Sequence, residues 1–230
     1  MTDPVPPDPT PAPKLVKERA DQDKVMLDRI VGSGQSLATA QVDGKIMAAF
    51  APRGFDAAKF TEGTGLQQTA LNAYSLRQAA MRAQSQATSL RDGAESAARE
   101  MVGEFRVNAR RLFPAAGDRI ALNLNGSIYK DAQQFIGQGH LSYTAAQSEP
   151  YAATFAANGY PATYLAIALK SLDDFSAADL AQNEAIRAAV KATADRDAAF
   201  AALDKWMKVF ERIARSALKT RPDLLKKLNL

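Results

Sequence analysis

A single histidine, His140, limits the acid–base chemistry open to this chain, which contains no cysteine. Any serine–histidine–aspartate triad would have to include His140, whereas thiolate catalysis and cysteine-based zinc sites are excluded. His140 directly follows the segment Gly137-Gln138-Gly139. We interpret it as a polar residue beside a helix break, and an enzyme that depends on His140 or on carboxylates is the third of three functions considered.

The densest group of carboxylates, Asp173, Asp174 and Asp179, could supply oxygen ligands to a metal ion. The di-iron bundles of all-helical proteins use Glu-x-x-His pairs on two helices, and the sequence contains no such pair. Closely spaced acidic residues are also typical of a solvated helix surface. We therefore predict no catalytic residue, no metal ligand and no cofactor.

Two glycine pairs, Gly32-Ser-Gly34 and Gly137-Gln-Gly139, suggest phosphate-binding loops at first sight. The dinucleotide fingerprint requires a third glycine, but Leu37 and Ser142 occupy that position. The lysine of a P-loop is also missing, and no strand is predicted before either pair. We predict that both pairs are helix breaks.

A basic ridge near the end of the chain consists of five residues at helical spacing: Lys205, Lys208, Arg212, Arg215 and Lys219. Such a ridge could bind nucleic acid or an anionic membrane surface. Asp204 and Glu211 interrupt it, and no aromatic residues alternate with the basic ones to stack on bases. A solvated helix face is the simpler interpretation, so the basic ridge is a candidate surface for an anionic partner. Arg110 and Arg215 could instead pair with Asp118 and Asp223, one pair at the end of each half of the chain.

The elements that position these residues follow from composition. The 230-residue chain is 47% hydrophobic but only 7% aromatic, since alanine supplies much of the apolar content. Alanine is the best helix former and fills little space, and no strand pattern of period two is evident. The composition predicts an all-α fold of closely packed helices. The net charge is +4, and residues 195–230 account for it with nine Lys/Arg against five Asp/Glu.

An internal repeat organises the chain. Residues 32–118 align without a gap on 137–223, at an offset of 105 positions. The informative matches are Gly32/Gly137, Gly34/Gly139, Phe50/Phe155, Gly54/Gly159, Arg82/Arg187, Thr88/Thr193, Arg91/Arg196, Asp92/Asp197, Phe105/Phe210, Arg110/Arg215 and Asp118/Asp223. This set in one register indicates a tandem duplication. We predict an elongated antiparallel helical bundle built from two homologous helical repeats, with Phe50/Phe155 and Phe105/Phe210 buried in equivalent places.

The second repeat contains a clear apolar stripe with steps of three and four residues: Phe200, Leu203, Met207, Phe210, Ala214 and Ala217. This spacing places one face of a helix against its neighbours. The first repeat has the same phase at Ala98, Val102, Phe105, Ala109 and Leu112. Trp206 lies beside the second stripe, and we predict that it fills space between helices rather than stacking on a ligand.

Domain boundaries follow from prolines and glycines. We predict a disordered proline-rich tail at 1–13, repeat 1 at 14–122 and repeat 2 at 123–230. Repeat 1 should contain a first helix over 14–31, with Val25, Leu27, Ile30 and Val31 as core candidates, a turn at Pro52-Arg53-Gly54, and a helical region over 66–113 that Pro114 ends.

Repeat 2 should begin with Ser127 as the N-cap of its first helix. The helical signal over 161–220 fits one rod or a hairpin. Pro222 should then start a short closing helix over 224–230.

The end of the chain resembles a group of uncharacterised bacterial all-helical repeat proteins. The resemblance covers mainly 124–230 and is most specific at Trp206, Phe210, Ile213-Ala214-Arg215 and Arg221-Pro222. Asn229 departs from the glycine expected there. The resemblance implies a helical repeat fold and assigns no activity.

The first residues lack the basic and apolar regions of a secretory signal, and no apolar run is long enough to span a membrane, so we expect a cytoplasmic protein. The function these features favour is that of a non-enzymatic helical scaffold that binds protein, either itself or another chain. A basic surface for nucleic acid or anionic membrane is the alternative.

Overall fold

The computed structural model describes the backbone of residues 13–230 and the side chains of residues 22–230, so the predicted tail at 1–13 lies almost wholly outside the described residues. The described part of the chain contains helices and no strand, which confirms that the fold is all-α. Its helices are α1 (Pro13–Val42), α2 (Gly44–Phe50), α3 (Ala57–Leu112), α4 (Ala116–Ala121), α5 (Ala132–Ala146), α6 (Ala152–Ala157), α7 (Ala162–Ala217) and α8 (Pro222–Lys227). A single 3-10 turn, Ala51–Arg53, follows α2.

Several predicted boundaries need correction. Helix α3 begins at Ala57, nine residues before the predicted start of its helical region. The segment that could form a rod or a hairpin is one continuous helix, α7, of 56 residues. Ser127 is not the N-cap of α5, because Asp131 takes that place and its carboxylate accepts a hydrogen bond from Gln134 N at 2.9 Å. An aspartate oxygen caps a helix as well as a serine hydroxyl does.

The prediction that the glycine pairs break helices is wrong. Helix α1 continues through Gly32 and Gly34, and α5 continues through Gly137 and Gly139. A Cβ added at Gly34 would lie 2.9 Å from Gln67 Nε2, and one at Gly139 would lie 2.6 Å from Leu172 Cδ1. These glycines therefore leave room for a side chain of a neighbouring helix, at the cost of some helix propensity.

Residue contacts divide the chain into two compact units. Unit 1 comprises the described part of Met1–Ala79 together with Val190–Leu230, and unit 2 is Ala80–Ala189. Each unit thus contains residues from both of the predicted repeats. Helices α3 and α7 contribute their first and last parts to different units.

Unit 1 is built around a cluster of aromatic rings. Phe50, Phe60 and Phe210 are fully buried. The Phe210 ring stacks on Phe50 with centroids 5.4 Å apart and on Trp206 at 5.7 Å. Trp206 is 9% exposed and belongs to this core, as predicted. Aliphatic residues in α1, α7 and α8, or directly after the last two helices, also belong to the cluster: Ile30, Leu37, Leu203, Leu218, Leu224 and Leu228.

Unit 2 has a corresponding core around Phe105, which stacks on Phe155 with centroids 5.2 Å apart. Tyr143 lies 4.7 Å from Phe105, also between ring centroids. The remaining core includes Leu122, Leu124, Phe135, Leu165, Leu172 and Phe175. The predicted stripe of α3 is buried at Ala98, Val102, Phe105 and Ala109. Both predicted phenylalanine pairs, Phe50/Phe155 and Phe105/Phe210, are therefore buried.

The first helix was predicted less well. Ile30 is fully buried, but Val25 is 69% exposed and Val31 is 43% exposed, so two of the four core candidates were wrong. The buried face of α1 includes two small polar residues, Ser33 and Ser36, in addition to its apolar ones. Ser33 donates to Arg29 O at 2.7 Å, and Ser36 donates to Leu228 O at 2.9 Å, which lets both hydroxyls lie in the interior without an unsatisfied donor.

Gly63 of α3 gives the first testable prediction. A Cβ at this position would lie 2.5 Å from a ring atom of Trp206, whereas nothing lies within 4 Å of a Cβ at Gly65. Because an indole ring cannot bend aside, we expect Gly63→Ala to lower the free energy of unfolding by about 1–3 kcal/mol. Gly65→Ala, the matched control, should raise it by up to about 1 kcal/mol through helix propensity. Urea titration of both variants measures the difference, and equal effects would contradict this packing.

Candidate interaction surface

All five residues of the basic ridge are exposed in unit 1, four of them on the last part of α7 and Lys219 in the turn that follows it. At 3.6 residues per turn the four helical residues fall within roughly 80° of one helix face. The opposite face carries Leu203, Met207, Phe210 and Ala214, which are buried. The apolar stripe therefore orients the helix, and the ridge faces solvent as a consequence.

Most of the ridge lacks an internal counter-ion. Lys208 pairs with Asp204 at 2.7 Å, and Glu211 accepts from Arg29 at 2.6 Å. Within residues 22–230, no carboxylate lies within 4 Å of the charged groups of the other four cations: Lys205, Arg212, Arg215 and Lys219. The two carboxylates that interrupt the ridge in sequence thus leave these four cations free to meet an external anion.

An apolar groove adjoins the ridge, also within unit 1. It has a volume of about 350 Å³ and lies between the start of α3 and the last part of α7. Its apolar lining comprises Phe55, Leu66, Ala202, Trp206 and Val209. Lys59 and Glu62 at its edge pair with each other at 2.6 Å, so Lys205 is the lining cation without a carboxylate partner. The groove and the ridge share Lys205.

The ridge has no equivalent in the first repeat. The positions 105 residues earlier, four on α3 and one just after it, are Glu100, Gly103, Val107, Arg110 and Pro114. Arg110 is the one basic residue among them, and it donates to Leu124 O at 2.6 Å and Gly126 O at 2.8 Å. Both segments have the buried apolar stripe, whereas the row of exposed cations belongs to the segment at the end of α7.

The hypothesis of two salt bridges, Arg110–Asp118 and Arg215–Asp223, is wrong. Asp223 pairs with Arg221 at 2.8 Å, and Asp118 accepts a hydrogen bond from the Tyr151 hydroxyl at 3.1 Å. Arg110 binds backbone carbonyls because the segment before α5 brings Leu124 O and Gly126 O within reach of its guanidinium.

Arg106 binds the same segment, residues 123–126, from the interior of unit 2. Only 2% of it is exposed, and it donates to Asn123 O at 2.9 Å and to the carbonyls of Leu124, Asn125 and Gly126. Burial lowers the pKa of Arg106, and the nearby charge of Arg110 lowers it further. Both arginines therefore bind backbone carbonyls, a contact that the sequence did not indicate.

The residues considered for catalysis or metal binding have ordinary surface partners. His140 Nε2 lies 3.1 Å from Asp173 Oδ1, and Asp173 is well exposed. Asp174 pairs with Lys170, and Asp179 lies near Arg91. The three aspartates therefore have separate partners, and among the described residues no three His, Asp or Glu side chains are placed to share a metal ion.

Unit 2 contains a tyrosine cluster that the sequence did not suggest. The hydroxyls of Tyr143 and Tyr164 are buried and have no hydrogen-bond partner in the described part of the chain. Burial raises the pKa of Tyr143 and of Tyr164. A phenol with a raised pKa remains protonated at neutral pH and cannot act there as a base.

Sequence reasoning identified the ridge but not the groove. The groove combines residues about 140 positions apart, and its floor requires Trp206 to lie against Gly63. A glycine inside a predicted helix was the available signal, since it often marks the close approach of another element.

Comparisons of the chain with protein-family models, curated proteins and solved structures found no match. No helix in residues 13–230 is both long enough and apolar enough to cross a membrane.

Proposed function

We propose that this protein is a non-enzymatic helical scaffold that works by binding another protein through the basic ridge and the adjoining groove of unit 1. The observation that carries this proposal is the asymmetry between α3 and α7. Among residues 22–230, four cations at the end of α7 and in the turn after it have no carboxylate partner and lie beside an apolar groove. The corresponding positions near the end of α3 hold one cation, Arg110, which is bound to carbonyls. A fold that needed these charges for its own stability would pair them.

The apolar groove favours a protein partner over nucleic acid. A phosphate backbone would engage the cations but would leave the apolar lining of the groove exposed to water. Trp206 offers no free face for base stacking because only 9% of it is exposed. A polyanion or an anionic membrane remains the alternative, supported by the four unpaired cations.

We also infer that the two compact units arose from a duplication in which each repeat supplies half of each unit. Helices α3 and α7 have equal length and begin 105 residues apart. The stacked pair Phe50–Phe210 corresponds to Phe155–Phe105 at that same offset, with similar centroid distances. In unit 1 the start of α3 meets the end of α7, where Phe60 contacts Phe210. In unit 2 the later part of α3 meets the first part of α7, where Arg91 lies 3.4 Å from Asp179. These contacts support an antiparallel pairing of the two long helices.

The test of the scaffold function is affinity capture from the cells that express the protein. We expect the wild-type chain to retain a stoichiometric protein partner, and the charge-reversal variant Lys205→Glu/Arg212→Glu/Arg215→Glu to lose it. The matched control is Lys191→Glu on the same helix, whose lysine is exposed and pairs only with Asp195. Loss of the partner in the control as well, or its retention in the triple variant, would argue against this surface.

A further inference from the structure

We propose that the groove and ridge of unit 1 bind one amphipathic acidic helix of the partner, with an apolar side chain in the groove and carboxylates along Lys205, Arg212 and Lys219. This inference rests on the proposed function and specifies the chemistry of the partner. Helix-in-groove binding combines an apolar anchor with flanking polar contacts, and both are present on this surface.

The spacing of the exposed residues on α7 defines the path of the helix. Ala202, Val209 and Ser216 are exposed and recur every seven residues. Lys205 and Arg212 follow the first two of them at the same interval, so these two cations flank the row. Lys219 follows Ser216 in the turn just after the end of α7. Seven residues span about 10.5 Å of helix. A partner helix that lies along the row would meet the cations with carboxylates of its own seven-residue repeat.

The groove supplies the anchor point at one end of this path. Ala202 and Val209 belong to the row and also line the groove. Phe55 and Leu66 form the wall of the groove that the first part of the chain contributes. Val209 is 38% exposed, so apolar surface there remains to be covered. Buried apolar anchors in such pockets dominate the affinity of most interfaces.

The positive charge of this surface favours a negatively charged partner. Among the described residues that line the groove, Lys59 and Glu62 neutralise each other, which leaves Lys205 as its net charge. Beyond the groove, the next cations without carboxylate partners are Arg212, Arg215 and Lys219. Carboxylates on the partner would complete charge-assisted pairs, whereas a basic or neutral helix would leave these cations unpaired.

Trp206 is the only tryptophan of the chain and lines the groove, so its emission reports occupancy of this site. The experiment titrates the full chain with a synthetic helical peptide that carries leucine and glutamate at seven-residue intervals. We expect a saturable change in Trp206 emission that weakens as salt is raised. Val209→Glu and Arg212→Glu should each weaken binding at least tenfold, and Lys191→Glu should leave it unchanged. Circular dichroism verifies that the variants are folded.

Three other probes distinguish an acidic helix from other kinds of partner: the same peptide with lysine in place of glutamate, a DNA duplex, and phosphatidylserine vesicles. A response to DNA or vesicles without a response to the acidic peptide would overturn the inference. An equal response to the lysine peptide would overturn it too. If Trp206 stays unresponsive to the acidic peptide while the triple charge-reversal variant still loses its captured partner, this inference fails and the scaffold function stands.

Discussion

Replacing Phe210 by alanine should lower the free energy of unfolding by about 3–5 kcal/mol. The ring is fully buried and contacts three other phenylalanines, with centroids between 5.4 and 6.2 Å from those of Phe50, Phe55 and Phe60. Its removal leaves a cavity whose walls belong to several helices, so the site can collapse only in part. Chemical denaturation followed by circular dichroism measures the loss.

Lys208→Ala is the control on the same helix. Its side chain is 72% exposed, and its ion pair with Asp204 is of the kind that contributes little. We expect a change within about 0.5 kcal/mol. Comparable losses for the two variants would mean that the buried face of α7 has been assigned wrongly.

The second large effect concerns the two halves of the chain. Unit 1 joins Phe50, Phe55 and Phe60 from the first half to Trp206 and Phe210 from the second. Unit 2 likewise joins Phe105 to Phe155. A fragment of residues 14–122 therefore lacks half of the buried core of unit 1 and most of the buried core of unit 2. We expect it to show no cooperative unfolding as a monomer, since it cannot bury enough apolar surface.

Mixing the two fragments shows whether 14–122 fails to fold because it lacks the rest of each core or because the fragment itself is damaged. Equimolar 14–122 and 123–230 should regain the helical signal and a cooperative transition of the intact chain, because together they restore both cores. Circular dichroism and sedimentation of each fragment and of the mixture give the readout. A 14–122 fragment that unfolds cooperatively as a monomer would refute the inference that each repeat supplies half of each unit.

The helices and their buried faces could be predicted because they depend on local pattern. The stripe from Leu203 to Ala214 has a helical period and few apolar competitors on the opposite face, so its burial follows from the sequence. The termination before Pro114 also follows locally, since proline cannot continue the hydrogen bonding of a helix. Residue identity alone determines such features.

The errors share one physical cause, which is contact between distant residues. Gly34 and Gly139 have the spacing of helix breaks, but Gln67 and Leu172 pack against them inside continuous helices. Arg110 has the charge of an ion-pairing residue, but its guanidinium donates to the carbonyls of Leu124 and Gly126. Val25 and Val31 fit an apolar pattern, but the face of α1 that packs against the rest of unit 1 is the one with Ser33 and Ser36.

The candidate site also has one part that could be predicted from the sequence and one part that could not. The basic ridge lies on one helix and was visible as a spacing of three and four residues. The groove arises from the approach of α3 to α7 at Gly63 and Trp206. No local pattern encodes that approach, so the apolar half of the proposed site became apparent only with the tertiary structure.

Native mass spectrometry of the protein isolated at low salt from its own cells tests the central claim most directly. If the protein acts by contact with another macromolecule, the spectrum should contain a complex of this chain with a second protein. Raising the salt concentration should dissociate it, because ridge cations contribute to the contact. A metal ion or small organic molecule retained in stoichiometric amount through the salt wash, with no second macromolecule, would contradict the scaffold function and favour an enzyme.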